Sequence, residues 1–416
     1  MFKTILFLIS ALLFCGRAFA AQKIVTFDAS VSPAAQARII ESRGGRVVKE
    51  FAFINAVLAD FPDSRKAAEI SRAPGVAAAE DDEEINWLSS EESSFDEAAA
   101  LSARDIRDGV PQPVQPPAVS TPPAPVAPVY FSTANAEGKI DHMPWSVAKL
   151  QVPQVWARTT GKGARVAVLD SGVDCTHPDL APNCAPGYNV FAPGTVPADD
   201  KGHGTHVAGI IAGAHNWSGM VGIAPEATIL PVKVLNSSGT GKVSQIIEGI
   251  GWAVQQKVDI INMSLGAAKT SEAQGKAVKA ARAAGILVVC AAGNDAGPVN
   301  YPAAFEDSVA VAAMDYSNKI TRFSCRGPEI DFIAPGVRIY SAAPGGSFAL
   351  MQGTSQAAPH ISGLAALAVS LGVKGPDALK AALTKASYNI GLPPEQQGAG
   401  VPVASILVKN ILAAQK

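Results

Sequence analysis

From about Asp141 onward the chain alternates short, almost wholly apolar segments with amphipathic ones, and this alternation restricts the fold more than any other feature. Strands that are apolar on both faces belong in a parallel sheet that helices cover on both sides. The sequence therefore predicts a three-layer α/β domain, and in such a sheet chemistry collects at the carboxyl ends of the strands. The predicted strands are Arg165–Leu169, Thr228–Val234, Asp259–Leu265, Ile286–Ala292 and Ser308–Ala313, and the predicted helices include Ser244–Gln256 and Glu272–Ala284.

Three glycine-flanked motifs lie where that rule predicts functional residues. V-A-V-L-D-S-G ends a strand at Asp170, H-G-T-H-V-A-G starts a helix at His203, and G-T-S-Q-A-A-P starts another at Ser355. Each residue alone has a simpler explanation, such as a turn residue or a helix cap. Together they supply a carboxylate, a base and a nucleophile, which is the set that serine hydrolysis requires.

These motifs closely resemble the subtilisin family of secreted serine proteases, in which Asp, His and Ser follow in this order along the chain. The resemblance covers residues 142–410 as a protease domain and residues 22–88 as an inhibitory propeptide. It implies a three-layer subtilisin-like domain with a small α+β, ferredoxin-like propeptide domain. It also implies a secreted endopeptidase of broad specificity that prefers large apolar residues before the cut.

The resemblance assigns roles to individual residues. Ser355 is the expected nucleophile, His203 the base, and Asp170 the group that orients the imidazole. Asn294, in A-A-G-N, is expected to donate to the oxyanion together with the backbone N–H of the nucleophile.

The same resemblance predicts the substrate contacts. Two segments are expected to clamp the substrate as an extended strand, and main-chain bonding of this kind accepts many sequences. Asn300 is expected to set the depth of the primary pocket, with Asp295 at its rim tolerating some basic residues. The two clamping segments are Gly239, Thr240, Gly241 and Ser264, Leu265, Gly266, and the apolar pocket four residues before the cut is formed by Val243, Ile246 and Leu265.

Calcium is the one cofactor that the resemblance implies, because oxygen donors of the type that calcium binds occur at the family's positions. A solvated surface loop without metal is the alternative. A zinc site at His203 and His206 is disfavoured, since no third ligand is evident, and His206 is expected to pack behind the site. His177, His215 and His360 are interpreted as structural. The expected calcium ligands are Asp141, Asp179, Asn216 and the carbonyls of Ala214, Ser218 and Met220.

Residues 1–20 predict a secretory signal, since one lysine precedes a short apolar stretch that ends in Ala18-Phe19-Ala20. A membrane anchor is the alternative, but the stretch is short for a span. Export permits disulfides. Cys175 and Cys184 flank a short loop and are expected to pair, whereas a bond between Cys290 and Cys325 is left open.

The remaining N-terminal sequence has two parts. Residues 21–88 predict two strand–helix alternations, with helices starting after Ser32 and at Asp63. Residues 89–138 are acidic and then rich in proline, which predicts an extended linker before the peptidase domain at 139–416. The resemblance to family propeptides also implies self-cleavage after Leu88, with Ile85 facing the apolar pocket.

The formal net charge of −2 gives no reason to expect nucleic acid as a partner. The expected partners are peptide or protein substrates and the chain's own propeptide, with no membrane span and a monomeric state. The rival hypothesis is a catalytically silent binding protein that keeps the fold. The presence of Asp170, His203, Ser355 and Asn294 argues against it.

Overall fold

The computed structural model describes residues 21–88, 130–217 and 219–416. The predicted signal, most of the predicted linker and Ser218 lie outside these ranges. The described chain divides between Asp82 and Glu83 into two compact units.

The first unit is a small α+β fold with the element order β-α-β-β-α-β. Its four antiparallel strands lie in the order β2-β3-β1-β4, which is the ferredoxin-like arrangement that the sequence predicted. Both predicted helix starts are confirmed, because the Ser32 hydroxyl accepts from the N–H of Ala35 and the Asp63 carboxylate from that of Arg65. The elements are β1 Ala21–Phe27, α1 Pro33–Ser42, β2 Arg46–Phe51, β3 Ala56–Phe61, α2 Ser64–Glu69 and β4 Val76–Asp81.

The second unit is built on a sheet of seven parallel strands with helices on both faces. The order is β15-β14-β13-β12-β8-β10-β9, and the five strands predicted from their apolar composition are all present. The strands of the sheet are β8 Arg165–Asp170, β9 Tyr188–Asn189, β10 Thr228–Lys233, β12 Ile260–Met263, β13 Leu287–Ala291, β14 Val309–Met314 and β15 Ile330–Pro335.

The helices bury their apolar faces on this sheet. Two of them, α4 and α7, pack against each other, as do α5 and α6. Every residue of α4 is buried, so this helix lies wholly inside the domain. The helices are α3 Trp145–Lys149, α4 His203–Ala212, α5 Val243–Gln255, α6 Glu272–Ala283, α7 Thr354–Ser370, α8 Pro376–Lys385, α9 Pro394–Gln397 and α10 Ala404–Ala414.

Four small two-stranded sheets complete the unit. One of them, β5 with β11, joins the segment that follows the first unit to the segment that precedes α5. The strands of the small sheets are β5 Glu84–Asn86 with β11 Thr240–Lys242, β6 Tyr130–Ala134 with β7 Ile140–Pro144, β16 Ile339–Ala343 with β17 Ser347–Met351, and β18 Ser387–Tyr388 with β19 Val401–Pro402.

The hairpin of β6 and β7 differs from the sequence prediction. Its first strand lies inside residues 89–138, which the composition assigned to the linker. The Tyr130 ring packs against the rings of His142 and Tyr340, with centroids 4.4 and 5.0 Å apart. Proline content dominates the residues before it and hides this short strand, so the folded unit begins earlier than predicted.

The predicted disulfide is confirmed, since Cys175 and Cys184 are bonded with their Cα atoms 5.8 Å apart. Cys290 and Cys325 are buried and unbonded to each other. Within residues 21–88, 130–217 and 219–416, no helix has the length and apolar character needed to cross a bilayer.

Candidate active site

The centre of the candidate site is a buried Asp–His pair. Asp170 ends the central strand β8, and His203 is the first residue of α4. The His203 Nδ1 atom lies 2.8 and 2.9 Å from the two carboxylate oxygens of Asp170. Asp170 Oδ1 also accepts from the N–H of Ser171 at 2.7 Å. The aspartate therefore fixes the orientation of the ring and places the Nδ1 proton.

The start of α4 is positioned by Asp199, which the sequence interpretation missed. Its Oδ1 accepts from the N–H of Gly202 at 2.8 Å and from the Ser171 hydroxyl at 2.8 Å, and its Oδ2 accepts from the N–H of Thr205 at 2.9 Å. A carboxylate here also suits the positive end of the helix. The visible signal was an acidic residue just before H-G-T-H, which is a common helix-start pattern.

Gly204 shows why the motif around His203 contains glycine. A Cβ atom at this position would lie 2.1 Å from the carbonyl oxygen of Gly172 and 3.0 Å from the Cβ of Asp170. Only glycine therefore lets α4 approach the end of β8 closely enough for the Asp170–His203 pair to form.

Lys233 is a second positioning residue that was missed. It is buried at the end of β10, next to Asp170 in the parallel register. Its ammonium group donates to the carbonyls of Ser171 at 2.6 Å and Leu235 at 2.9 Å, and to Asp200 at 2.6 Å. A buried charge needs such partners, and these bonds hold three loops around the candidate site together.

Ser355 lies in the first turn of α7 and is buried. Its hydroxyl donates to the carbonyl of Ser264 at 3.1 Å, and the Ser264 hydroxyl donates back to the carbonyl of Ser355 at 2.7 Å. Because Ser264 follows β12, this reciprocal pair ties the candidate nucleophile to the carboxyl edge of the sheet.

Asn294 follows β13 at the same edge, and its amide is oriented by Thr354. The N–H and the hydroxyl of Thr354 both donate to Asn294 Oδ1, at 2.8 and 2.9 Å. The N–H of Gly293 donates to the Thr354 hydroxyl at 3.1 Å. The carbonyl end of the amide is thus held toward α7, and the NH₂ end points the other way. Thr354 was not singled out from the sequence.

A segment of the chain itself lies along the predicted substrate clamp. In the antiparallel pairing of β5 with β11, Ile85 is opposite Gly241. The N–H of Trp87 donates to the carbonyl of Gly239 at 3.1 Å, and the N–H of Gly266 donates to the carbonyl of Trp87 at 3.0 Å. The backbone of residues 84–87 therefore contacts both predicted clamping segments.

In the predicted primary pocket, two glycines lie against the side chain of Asn300. A Cβ atom at Gly266 would lie 3.3 Å from the Cβ of Asn300, and one at Gly293 would lie 2.5 Å from its Nδ2. Asn300 thus packs under both glycines. Asp295 is exposed, and its carboxylate accepts from the thiol of Cys325. The predicted residues of the apolar pocket, Val243, Ile246 and Leu265, are all buried.

The structure brings several expected calcium ligands together from the two loops that precede and follow α4. Asp179 is buried, and its carboxylate accepts from the Asn216 amide at 3.0 Å and from the N–H of Met220 at 2.8 Å. The N–H of Ala214 donates to the Asp179 carbonyl at 2.8 Å. Burial raises the pKa of Asp179, and the nearby charge of Asp141 raises it further. A bound cation would offset the repulsion between these two carboxylates.

The remaining histidines have structural partners, as the sequence predicted. His206 Nε2 lies 3.0 and 3.2 Å from the carbonyls of Ile339 and Ala349, and burial lowers its pKa to about 3. His360 Nδ1 lies 2.8 Å from the Gln356 carbonyl, and burial lowers its pKa to about 4. His177 Nε2 lies 2.9 Å from the Ser347 carbonyl. The rings of His206 and His360 therefore stay neutral, and all three histidines stabilise the domain through these hydrogen bonds.

The comparisons with known proteins agree with this geometry. Residues 161–400 match the Subtilase family of S8 peptidases. "Intracellular serine protease" of Paenibacillus polymyxa is 39% identical over 288 residues, which cover 65% of this chain and 88% of that protein. "Subtilisin E" of Bacillus subtilis (strain 168) is 35% identical over 357 residues, covering 83% and 80%. "Subtilisin Savinase" of Lederbergia lenta is 44% identical over 228 residues, covering 54% and 83%.

The matching family region contains β8, α4 and the start of α7, where the Asp–His pair and the buried serine lie. The similarity to "Subtilisin E" extends beyond that region and covers most of both chains. The chain therefore belongs to the subtilase family and is a subtilisin-like serine endopeptidase.

Proposed function

We propose that this protease is secreted and hydrolyses peptide bonds with Ser355 as nucleophile, His203 as base and Asp170 as the orienting carboxylate. The observation that carries the proposal is the buried Asp170–His203 pair at the carboxyl edge of the sheet. A buried carboxylate on Nδ1 leaves Nε2 as the basic nitrogen of the neutral ring, which is the tautomer that the reaction needs.

In the first step, His203 Nε2 takes the hydroxyl proton as Ser355 Oγ attacks the carbonyl carbon of the substrate. Asp170 stabilises the imidazolium that forms, and the ring then gives its proton to the leaving amine. In the second half of the reaction, water loses a proton to His203 and attacks the carbonyl carbon of the acyl-enzyme. The acid product leaves and the Ser355 hydroxyl is regenerated. Attack creates a negative oxygen, for which the NH₂ group of Asn294 and the N–H of Ser355 are the proposed donors.

The proposed substrate lies as an extended strand between the two clamping segments. Residues 84–87 of the chain show how a peptide backbone can pair with them. Buried apolar residues beside this strand support a preference for large apolar side chains, and the floor near Asn300 supports a primary pocket of moderate depth. Because the Asp295 carboxylate bonds to the Cys325 thiol, its preference for a basic substrate residue should be weak.

We further propose that residues 21–88 act as an inhibitory propeptide and that the chain cleaves itself after Leu88. Support comes from the ferredoxin-like fold of the first unit and from the pairing of β5 in the clamp. The side chain of Leu88 is buried and lies close to Gly239. Trimming within the linker would then stop before Tyr130, where the hairpin with β7 begins.

Processing gives a direct test of this step. Purified protein should show a first new N-terminus at Ser89, and a Ser355→Ala protein should remain joined at Leu88-Ser89. A first N-terminus far from Ser89 would disprove the cleavage site. Normal processing of Ser355→Ala protein on its own would disprove self-cleavage.

Calcium is proposed as a structural ion, held by Asp179, Asn216, Asp141 and the carbonyls of Ala214 and Met220. The fit rests on the donor set, because the buried Asp179 carboxylate lies in contact with Asn216 and Met220 and these positions offer the oxygen donors that calcium binds. Ser218, the remaining expected ligand, lies outside the described residues. The ion would supply positive charge that holds the loop, with no part in catalysis.

Secretion is proposed from residues 1–20 and from the Cys175–Cys184 bond, which suits an oxidising compartment. Activity itself is tested with a fluorophosphonate that labels reactive serines, followed by hydrolysis of casein. The parent should label at Ser355 and cleave casein, and Ser355→Ala protein should do neither. A parent that folds and is processed but labels nowhere would support the silent binding protein instead.

A further inference from the structure

The segment in the clamp carries two glutamates where its paired strand begins, Glu83 just before β5 and Glu84 as its first residue, and both contact hydrogen-bond donors of the enzyme. Glu83 forms an ion pair with Lys269, which lies between β12 and α6. The Glu84 carboxylate accepts from the Thr240 hydroxyl at 2.8 Å. The Thr240 contact comes from one clamping segment, and the Lys269 contact comes from the residues that follow the other.

The backbone is held at the same place, which gives these side-chain contacts a fixed register. The N–H of Val243 donates to the carbonyl of Glu83 at 3.2 Å. The pairing of β5 with β11 places Glu84 opposite Lys242, and an opposite-charge pair across two antiparallel strands is favourable. A peptide with the same backbone register would present its own side chains to the same groups.

The charged side chains that face Glu83 and Glu84 are positive. The groups that face Glu83 and Glu84 are the Lys269 ammonium, the Thr240 hydroxyl and, across the ladder, Lys242. An acidic side chain gains attraction at these positions, whereas a basic one would face repulsion from Lys269. Ile85, between the glutamates and Asn86, is half-buried while both of its neighbours are exposed, so it is oriented toward the protein.

We propose that Lys269, with Thr240, forms an upstream subsite that selects substrates with acidic residues at the positions of Glu83 and Glu84. The substrate class is then a peptide with an acidic pair directly before the residue that lies opposite Gly241. This inference rests on the proposed function, because it concerns the selectivity of the same cleft. Lys269 acts at a distance from the reacting bond, so it alters substrate binding and leaves the chemical step unchanged.

The test uses active, self-processed protein and internally quenched peptides based on Glu-Glu-Ile-Asn-Trp-Leu-Ser-Ser, the sequence of residues 83–90. The first residue is varied among Glu, Gln and Lys. The parent should cleave the Glu peptide with a kcat/KM roughly two- to fivefold above that of the Gln peptide, the range expected for an exposed ion pair. The Lys peptide should be poorest, and the difference should lie in KM.

The decisive variant is Lys269→Glu, which should reverse the preference so that the Lys peptide becomes the best substrate. The preference of each enzyme is therefore expressed as kcat/KM relative to its own Gln peptide. Lys279→Glu is the matched control, since Lys279 is exposed on α6 and the change in net charge is the same. In a second series the second residue is varied in the same way, and Thr240→Val should reduce the preference for Glu there. Raising the salt concentration to 1 M should reduce the preference in the parent.

Two outcomes would overturn the inference. One is equal cleavage of all three peptides by the parent. The other is the same reversal in Lys279→Glu as in Lys269→Glu, which would show that the net charge of the protein, and not the position of Lys269, sets the preference. Failure of the proposed function looks different, because then no peptide in the series is cleaved at all.

Discussion

Two buried aspartates of the second unit, Asp170 and Asp141, each bring a carboxylate oxygen close to a ring nitrogen of a histidine, and the two pairs differ in geometry. In the first pair, His203 Nδ1 lies 2.8 Å from Asp170, and the two side chains are 3% and 0% exposed. In the second pair, His215 Nε2 lies 3.4 Å from Asp141, and the histidine is 36% exposed. The first pair, called the tight pair below, has a short N–O distance and is shielded from solvent. The second, called the loose pair, has a longer N–O distance, and its histidine is partly exposed.

The surroundings of the two pairs differ as well. Asp170 has the Ser171 N–H as a further donor, and the adjoining loop is held by Asp199 and Lys233. Asp141 instead lies near a second buried acid, Asp179. The first arrangement keeps one proton in a fixed place, as catalysis requires. The second accumulates negative charge, which favours a bound cation.

The largest expected effect comes from breaking the tight pair without changing its size. Asp170→Asn should lower kcat by about 10⁴-fold, the loss established for this change in a serine-protease triad, because the amide favours the wrong imidazole tautomer. Asp141→Asn makes the same change in the loose pair and should leave kcat near the parent value. Equal loss of activity in Asp170→Asn and Asp141→Asn, measured by peptide hydrolysis, would show that the two Asp–His pairs do not differ in function.

The second prediction concerns the network that holds Asn294. Asn294→Ala should lower kcat about 100- to 1000-fold, the range established for the corresponding residue of subtilisin. Thr354→Val keeps the shape but removes a hydroxyl that bonds to Asn294 and Gly293, so we expect a loss of about tenfold from misplacement of the amide. Thr354→Ser should recover most of the activity. A Thr354→Val enzyme as fast as the parent would show that the backbone bond from residue 354 suffices.

The third prediction addresses the calcium site proposed at Asp179 and Asp141, the aspartate of the loose pair. Saturating calcium should raise the melting temperature of the processed protein by roughly 5–10 °C, since an ion at 100 times its Kd stabilises by about 2.7 kcal/mol. Asp179→Asn should remove this response, whereas Asp170→Asn, which alters the tight pair, should keep it. A melting temperature that is the same in calcium and in EDTA would show that the loop holds no ion.

The smallest expected effect concerns the residue after Ser355, the proposed nucleophile, where the family usually has methionine and this chain has Gln356. Its side chain is buried, and its amide nitrogen lies 3.9 Å from the sulfur of Met351. An amide cannot form a bulky sulfoxide, so mild peroxide should leave most of the activity. Gln356→Met should make the enzyme clearly more sensitive. Rapid inactivation of the parent, with Gln356→Met no faster, would point to oxidation elsewhere.

Much of the fold could be read from the sequence, because the apolar strands and the helix starts leave local signals. The strand that ends in Asp170 and the helix that starts at His203 carry such signals. The helix at Ser32-Pro33 begins as predicted for the same reason. The disulfide was also predictable from two cysteines that flank one short loop.

The positioning residues could not be read in this way, because their roles depend on long-range contacts. Lys233 ends an apolar strand and resembles any strand-end lysine, yet it bonds to loops on both sides of the site. Thr354 acts on Asn294, which lies 60 residues away in the chain. The strand at Tyr130–Ala134 was hidden for a different reason, because the proline-rich residues before it dominate the composition of that region.

The hairpin of β6 and β7 also affects what a biochemist would see on purifying the enzyme. Cutting anywhere before Tyr130 leaves the same paired strand and the same contacts with His142 and Tyr340. The residues between Ser89 and the hairpin carry several acidic side chains, so each cut removes a different amount of negative charge. We therefore expect a preparation of uniform specific activity that separates into several bands on isoelectric focusing, all with one peptidase core.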